Sequence, residues 1–324
     1  MAVSRSWKSG PGLDGPFPAT VDDIAGLNQV FSDAFTERYR RDGMVGVRVP
    51  FLNPTVWRYA IEDAAGGALC WRAGHGEIVA FNMVHRSGTE GWMGPLAVRQ
   101  DLQGSGVGKE IVRRGVEWLK DAGARVIGLE TMPRTLDNIG FYSSLGFVPG
   151  RLTLTTTLEA AHAAHPPRLF GRLSAAEKEH ALLECRVLLD GLLPGYDHTR
   201  EIELTDQMAL GDTVLLRERD ALVGFALCHT VPLVEGRTRE ELRVLKLALA
   251  DESHLDAMLA TLRDFARRCG TRRVAIRMQG EYAAAYQRLV ALGGRVRWSD
   301  LRMALGGYEE RMPGRGIVLS NWEI

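Results

Sequence analysis

Residues 99–112 read "RQDLQGSGVGKEIV", with Gly104, Gly106 and Gly108 inside five positions. A strand-like run, "GWMGPLAV", precedes them. A helical pattern follows, in which Ile111, Val112, Val116, Trp118 and Leu119 recur. A glycine loop that opens a helix holds anions on backbone N–H groups. Glycine takes the angles that turn successive N–H groups toward one point, and its missing side chain lets the anion approach. The helix dipole adds a favourable field.

The spacing separates three kinds of phosphate loop. A P-loop needs GxxxxGK[ST]; here Gln103 stands at the first glycine and Glu110 at the hydroxyl position, so no magnesium-binding hydroxyl is present. A dinucleotide fingerprint needs GxGxxG. Counted from Gly104 the third glycine falls on Lys109, and counted from Gly106 it falls on Ile111. The pattern that fits is [QR]-x-x-G-x-[GA], as Gln103, Gly104, Ser105, Gly106, Val107 and Gly108. A second block, "NIGFYSSLGF" (138–147), lies one helix and one strand further on. On these two blocks the chain resembles the GNAT superfamily of N-acetyltransferases, over residues 20 to 157 or so.

The resemblance implies an α/β fold, more finely the α+β GNAT fold with a central mixed sheet flanked by helices. It also implies acetyl-CoA as co-substrate and transfer to an amine. Residues 103–109, ending at Lys109, would hold the pyrophosphate, and Leu96, Ala97 and Val98 would pair with the pantetheine arm. Tyr142 takes the position of an acid near the coenzyme sulfur, with Phe141 beside it; the alternative is a core aromatic. Tyrosine suits the role because it stays protonated at neutral pH. Glu130, on the strand after the loop helix, is the candidate base, its pKa to be raised by apolar neighbours. It would otherwise be a structural carboxylate. Glu90 and His85 are weaker alternatives for the base. The family often has an asparagine seven residues before the tyrosine. Here Thr135 stands there, and Asn138 lies four before Tyr142, where it contacts the coenzyme arm or caps a helix.

Working outward, 324 residues suit two domains. The chain is 45% hydrophobic and 25% charged, as packed cores require. Its 40 basic and 40 acidic residues balance, which offers no electrostatic case for a nucleic-acid or membrane partner. Cys70, Cys185, Cys228 and Cys269 form no CxxC pair and read as free thiols of a cytoplasmic protein. The HxxH of His162 and His165 lacks further ligands, so no metal is expected. Residues 1–18 read as a flexible tail, 19–159 as the catalytic domain and 160–174, "AAHAAHPPRLFGRLS", as a linker.

Residues 175–324 repeat the order of elements of the first half, as a degenerate copy. Asp251, Glu252 and Asp256 replace the glycines near the matching helix start and would repel a diphosphate. Leu289 stands where Tyr142 would be, and the closing "GIVLSNWEI" reads as a strand that completes a sheet or packs at the seam. Arg38, Tyr39, Arg40, Arg41, Phe51, Trp57 and Tyr59 offer an aromatic, partly basic lid over an acceptor, or else a solvated face over a core. The acceptor is a small amine or a peptide, the chain acts as a monomer or homodimer, and the rival to an enzyme is an acyl-CoA sensor.

Overall fold

The computed structural model describes residues 13–322. The first half runs β1 (Leu13–Pro18), α1 (Ile24–Arg41), α2 (Pro54–Ala64), β2 (Ala68–Ala73), β3 (Ile78–Ser87), β4 (Glu90–Val98), α3 (Val107–Asp121), β5 (Val126–Thr131), α4 (Leu136–Ser143) and β6 (Phe147–Glu159). The second runs α5 (Ala175–Leu192), α6 (Thr199–Gln207), β7 (Gly211–Glu218), β8 (Ala221–His229), β9 (Glu241–Leu249), α7 (Leu255–Arg268), β10 (Arg273–Gln279), α8 (Ala283–Ala291), β11 (Arg295–Leu305) and β12 (Ile317–Ser320). No described helix is long and apolar enough to cross a membrane.

One local reading needs correction, and one open alternative is decided. The tail expected over 1–18 ends earlier, because β1 pairs antiparallel with β2; residues 1–12 lie outside the described residues. The segment around Trp57 is a helix. Asn53 caps it by accepting from the Thr55 N–H at 2.9 Å, and Pro54 occupies the first turn, where a missing N–H costs nothing. Trp57 and Tyr59 are therefore core residues of α2 rather than parts of a lid. In the second half, Ser174 and Glu177 form a capping box that starts α5.

The twelve strands among the described residues lie in one sheet, ordered β1-β2-β3-β4-β5-β11-β6-β10-β9-β8-β7, with β12 on β9. The repeat read from the sequence is present, but the halves exchange a strand. β11 pairs antiparallel with β5 of the first half, and β6 pairs antiparallel with β10 of the second. β6 and β11 then pair with each other and join the two sheets. One apolar core, against α1, α2 and α5, runs through both halves, from Phe31, Trp57, Phe81 and Trp92 to Cys185, Leu189, Phe225 and Trp322. The opposite face has separate cores, one under α3 and α4 with Val84, Met93, Ile127 and Leu129, and one under α7 and α8 with Leu259, Phe265 and Leu289.

Candidate active site

β4 and β5 are parallel, yet their pairing stops early. It runs from Glu90 opposite Val126 to Met93 opposite Leu129. Beyond that point β4 carries one extra residue against β3, a bulge at Gly94 and Pro95 that bends the strand away from β5. Leu96, Ala97 and Val98 keep β3 on one edge and face a widening gap on the other. A cavity of about 900 Å³ fills this gap. That volume lies near the top of the range for small-molecule sites.

The glycine loop closes one end. Gly104 and Gly106 have φ of 79° and 96°, and a Cβ on either would meet nothing within 4 Å. Gly106 stands at the N-cap of α3 and supplies no side-chain cap, so the first helical N–H groups stay available at the cavity. The Gln103 amide donates to the Val98 carbonyl at 3.0 Å and ties the loop to β4. The Ser105 hydroxyl donates to the Leu102 carbonyl at 2.6 Å. Lys109 lines the same end. Val107 is the exception in this stretch, its side chain packing against the cluster of Leu69, Trp71, Ala80, Val98 and Ile111. Gly108 leaves room for Phe141, whose ring would lie 3.4 Å from an added Cβ.

Phe141, Tyr142 and Asn138 line the cavity from α4. The Phe141 and Tyr142 rings meet edge-on with centroids 5.1 Å apart. Burial pushes the Tyr142 phenol up to about 12, so it carries its proton at neutral pH. Asn138 lies inside the first turn of α4 rather than at its cap, which is Thr135. Thr135 is fully buried and donates its hydroxyl to Asp42 at 2.6 Å. Thr135 does not line the cavity, whereas Asn138 does, so the position read for a coenzyme contact at Thr135 is closed off by burial.

Glu130 departs furthest from expectation. One carboxylate oxygen accepts from the Thr153 hydroxyl at 2.6 Å and from Arg302 Nε at 2.9 Å; the other accepts from Arg277 at 2.6 Å. Burial alone would raise its pKa, but Arg277 and Arg302 outweigh it and hold the carboxyl down at about 2. A group so fixed and so acidic is a poor proton acceptor near neutral pH. Glu90 accepts from Ser320 and from the Trp322 indole, both at 2.7 Å, and His85 contacts Asp63 at 2.8 Å beneath Trp92. Both are fully buried and outside the cavity.

Apart from Arg38 and Tyr39, the walls at the far end of the cavity were not read from the sequence. Phe31, Phe35, Arg38 and Tyr39 of α1 form one side, and the second half supplies Leu233, Trp298 and Asp300. Leu233 arrives because the β8–β9 connection pairs with residues 51–53, its carbonyl accepting from the Asn53 N–H at 2.9 Å. Trp298 and Asp300 arrive on the exchanged strand β11. Of the basic lid read around residues 36–60, Arg38 and Arg41 reach the cavity, but Arg38 is paired with Asp42 and Asp137 and Arg41 with Glu37.

Residues 28–147 match the acetyltransferase (GNAT) family. The match lies within the first half. No curated protein matches the chain in sequence. Among solved structures, a protein of Pyrococcus horikoshii described as a candidate acetyltransferase is similar at TM-score 0.68 and 18% identity, covering 98% of this chain and 97% of that one. A GCN5-related N-acetyltransferase from Sphaerobacter thermophilus gives 0.56 and 14%, covering 95% and 97%. A tandem GNAT protein from the clavulanic acid biosynthesis pathway gives 0.58 and 12%, covering 90% and 98%. These likenesses are of fold and span both halves. Both halves therefore share, in tandem, the fold of these acetyltransferases.

The second unit has the same gap, filled by its own chain. β9 and β10 pair in parallel only from Glu241 opposite Arg273 to Val244 opposite Ile276. β12 then pairs with β9 from Lys246 to Leu249. It takes, on β9, the edge that stays open at residues 96–98 of β4. The Tyr282 hydroxyl bonds both the N–H and the carbonyl of Val318 at 3.0 Å and fixes the strand there. Asp251 accepts from the Ser253 N–H at 2.9 Å where the first unit has glycine, and Leu289 is a core residue of α8.

Proposed function

We propose that the chain transfers the acetyl group of acetyl-CoA to a primary amine, at one site in the first unit, while the second unit binds no coenzyme. One contrast carries this reading: the gap between β4 and β5 is open and faces an uncapped helix, whereas the gap between β9 and β10 is filled by β12. The residues present fit the coenzyme. The open space at Gly104 and Gly106 leaves the N–H groups of residues 104–108 free of obstruction for a diphosphate, with the Lys109 side chain alongside. The free edge of residues 96–98 and the Asn138 amide suit the amide-bearing arm. Acetyl-CoA supplies an activated thioester. Tyr142 keeps a proton beside the space between those strands and delivers it to the departing sulfur.

The test is calorimetry with acetyl-CoA, coupled to coenzyme A release over a panel of amines. One site per chain is expected. Gly106→Asp should abolish binding, because it places a carboxylate, in a strained backbone, where the diphosphate would sit. Two sites of similar affinity, or normal binding by Gly106→Asp, would overturn the assignment.

A further inference from the structure

The acceptor end of the cavity contains three carboxylates, Glu37, Asp137 and Asp300. Glu37 is bound by Arg40 at 2.7 Å and Arg41 at 2.8 Å, which hold it down at about 2. Asp137 is exposed and paired with Arg38 at 3.2 Å. Asp300 differs from both. It is 3% exposed, lies where apolar Trp298 and Phe35 also line the cavity, and has no cation to itself. Its neighbour Arg277 reaches Asp300 at 2.9 Å and Glu130 at 2.6 Å, so one guanidinium serves two carboxylates. One Asp300 oxygen accepts from the Trp298 indole at 3.0 Å and the other from Arg277. A carboxylate has about four acceptor sites, so capacity remains for a ligand.

We propose that Asp300, brought from the second half on β11, receives the acceptor's ammonium group and removes its proton, and that the acceptor is a cationic primary amine with an apolar body. The proposal rests on the acetyl-transfer reading above. An ammonium entering among Phe31, Phe35 and Trp298 loses water and needs a buried anion to offset that loss. Asp300 supplies the anion. An N–H bond of the ammonium then breaks, its proton passes to an Asp300 oxygen, and the electron pair stays on nitrogen. The neutral amine forms the C–N bond as the C–S bond breaks; the sulfur takes the Tyr142 proton, and a second N–H bond of the nitrogen breaks, its proton restoring the Tyr142 phenol. In sum, one proton leaves to water for each acetyl group transferred.

The surroundings of Asp300 suit this work. Burial raises its pKa, Arg277 on β10 opposes, and Glu130 on β5 raises it further. The Trp298 indole on its own strand stabilises the charged form. Arg302, two residues on, is committed to Glu130 and Glu310, and Thr153 is the partner on β6. The activity should therefore fall on an acidic limb as Asp300 gains a proton.

Two measurements test the proposal. The first needs no turnover: binding of 4-phenylbutylamine and of the uncharged 4-phenylbutanol is compared in the presence of coenzyme A. Wild type should prefer the amine at least about tenfold, and Asp300→Asn should lose the preference while still binding coenzyme A. Equal binding of amine and alcohol by wild type overturns the proposal. The second is turnover. Asp300→Asn should lower kcat/KM for amines by about 10²-fold or more. Trp298→Phe keeps a ring but removes the indole donor, so the acidic limb should move to higher pH. Activity within threefold of wild type in Asp300→Asn, or an unmoved limb in Trp298→Phe, overturns it. Wild type that transfers acetyl groups with an inert Asp300→Asn change refutes this proposal alone. Wild type that binds no acetyl-CoA refutes the reading beneath it.

Discussion

At Tyr142 and Glu130 burial acts alike, and the neighbours decide the result. Nothing charged opposes burial at Tyr142, so its phenol stays protonated. Tyr142→Phe removes one hydroxyl and leaves the packing against Phe141 and Phe147 nearly intact. A fall in kcat of about 10²- to 10⁴-fold is expected, with acetyl-CoA affinity little changed. Pre-steady-state coenzyme A release measures the chemical step; an unaltered rate would leave Tyr142 a packing residue. Glu130 instead anchors Arg277 and Arg302. Glu130→Gln leaves two buried cations short of a partner and should cost about 3–5 kcal/mol in urea unfolding at pH 7. Its folded pKa, about 2 against an ordinary 4.5, fixes the pH dependence. The carboxylate's stabilisation is complete above pH 4.5 and is lost as pH falls toward 2. The gap between wild type and Glu130→Gln should accordingly shrink through that window, and a gap constant down to pH 2 would contradict it. The sequence reading placed Glu130 on the right strand, but its two arginines lie 147 and 172 residues further along the chain. No local pattern could have announced them.

Elements were legible where their signals are local. The glycine loop, the strand before it and the helix after it follow from glycine conformations and apolar spacing, and α3 and β4 lie where that spacing puts them. α2 also carried a local signal, an Asn-Pro cap, but its aromatic residues obscured the helical period. The occupant of the second gap was only half legible: "GIVLSNWEI" has strand character, but its place beside β9 depends on tertiary packing. That placement gives a prediction. The Tyr282 hydroxyl serves both backbone groups of Val318, which is buried. Tyr282→Phe leaves those groups without that partner in a site closed to water. A loss of about 1–3 kcal/mol in thermal or urea unfolding is expected. The acetyl-CoA affinity should not change, since the open gap belongs to the other unit. Unchanged stability would mean that β12 is held by its ladder with β9 alone.

For the whole molecule, the exchange of β6 and β11 makes each unit depend on the other. The order of elements revealed a repeat, but not which strand completes which sheet. Threonine-rich "RLTLTTTLE" satisfies a strand position in either half, and pairing partners at long range leave no trace in spacing. The consequence concerns folding. Alone, the first half would expose the edge of β5 that β11 covers, and β6 would lose β10. It would also uncover the shared core at Trp57 and Trp92, and lose Trp322, whose ring lies against Gly128 of β5 and whose indole donates to Glu90. Cutting the chain within 160–168, between β6 and α5, tests this. The two fragments expressed together should form a one-to-one complex that binds acetyl-CoA like the intact chain. The first fragment alone should aggregate, or pair with its own copy by lending β6 to a second sheet. A monomeric first fragment with full acetyl-CoA affinity would show that the exchanged strand is dispensable. Such a fragment, which lacks Asp300, should still fail to turn over cationic amines, because Asp300 serves the acceptor.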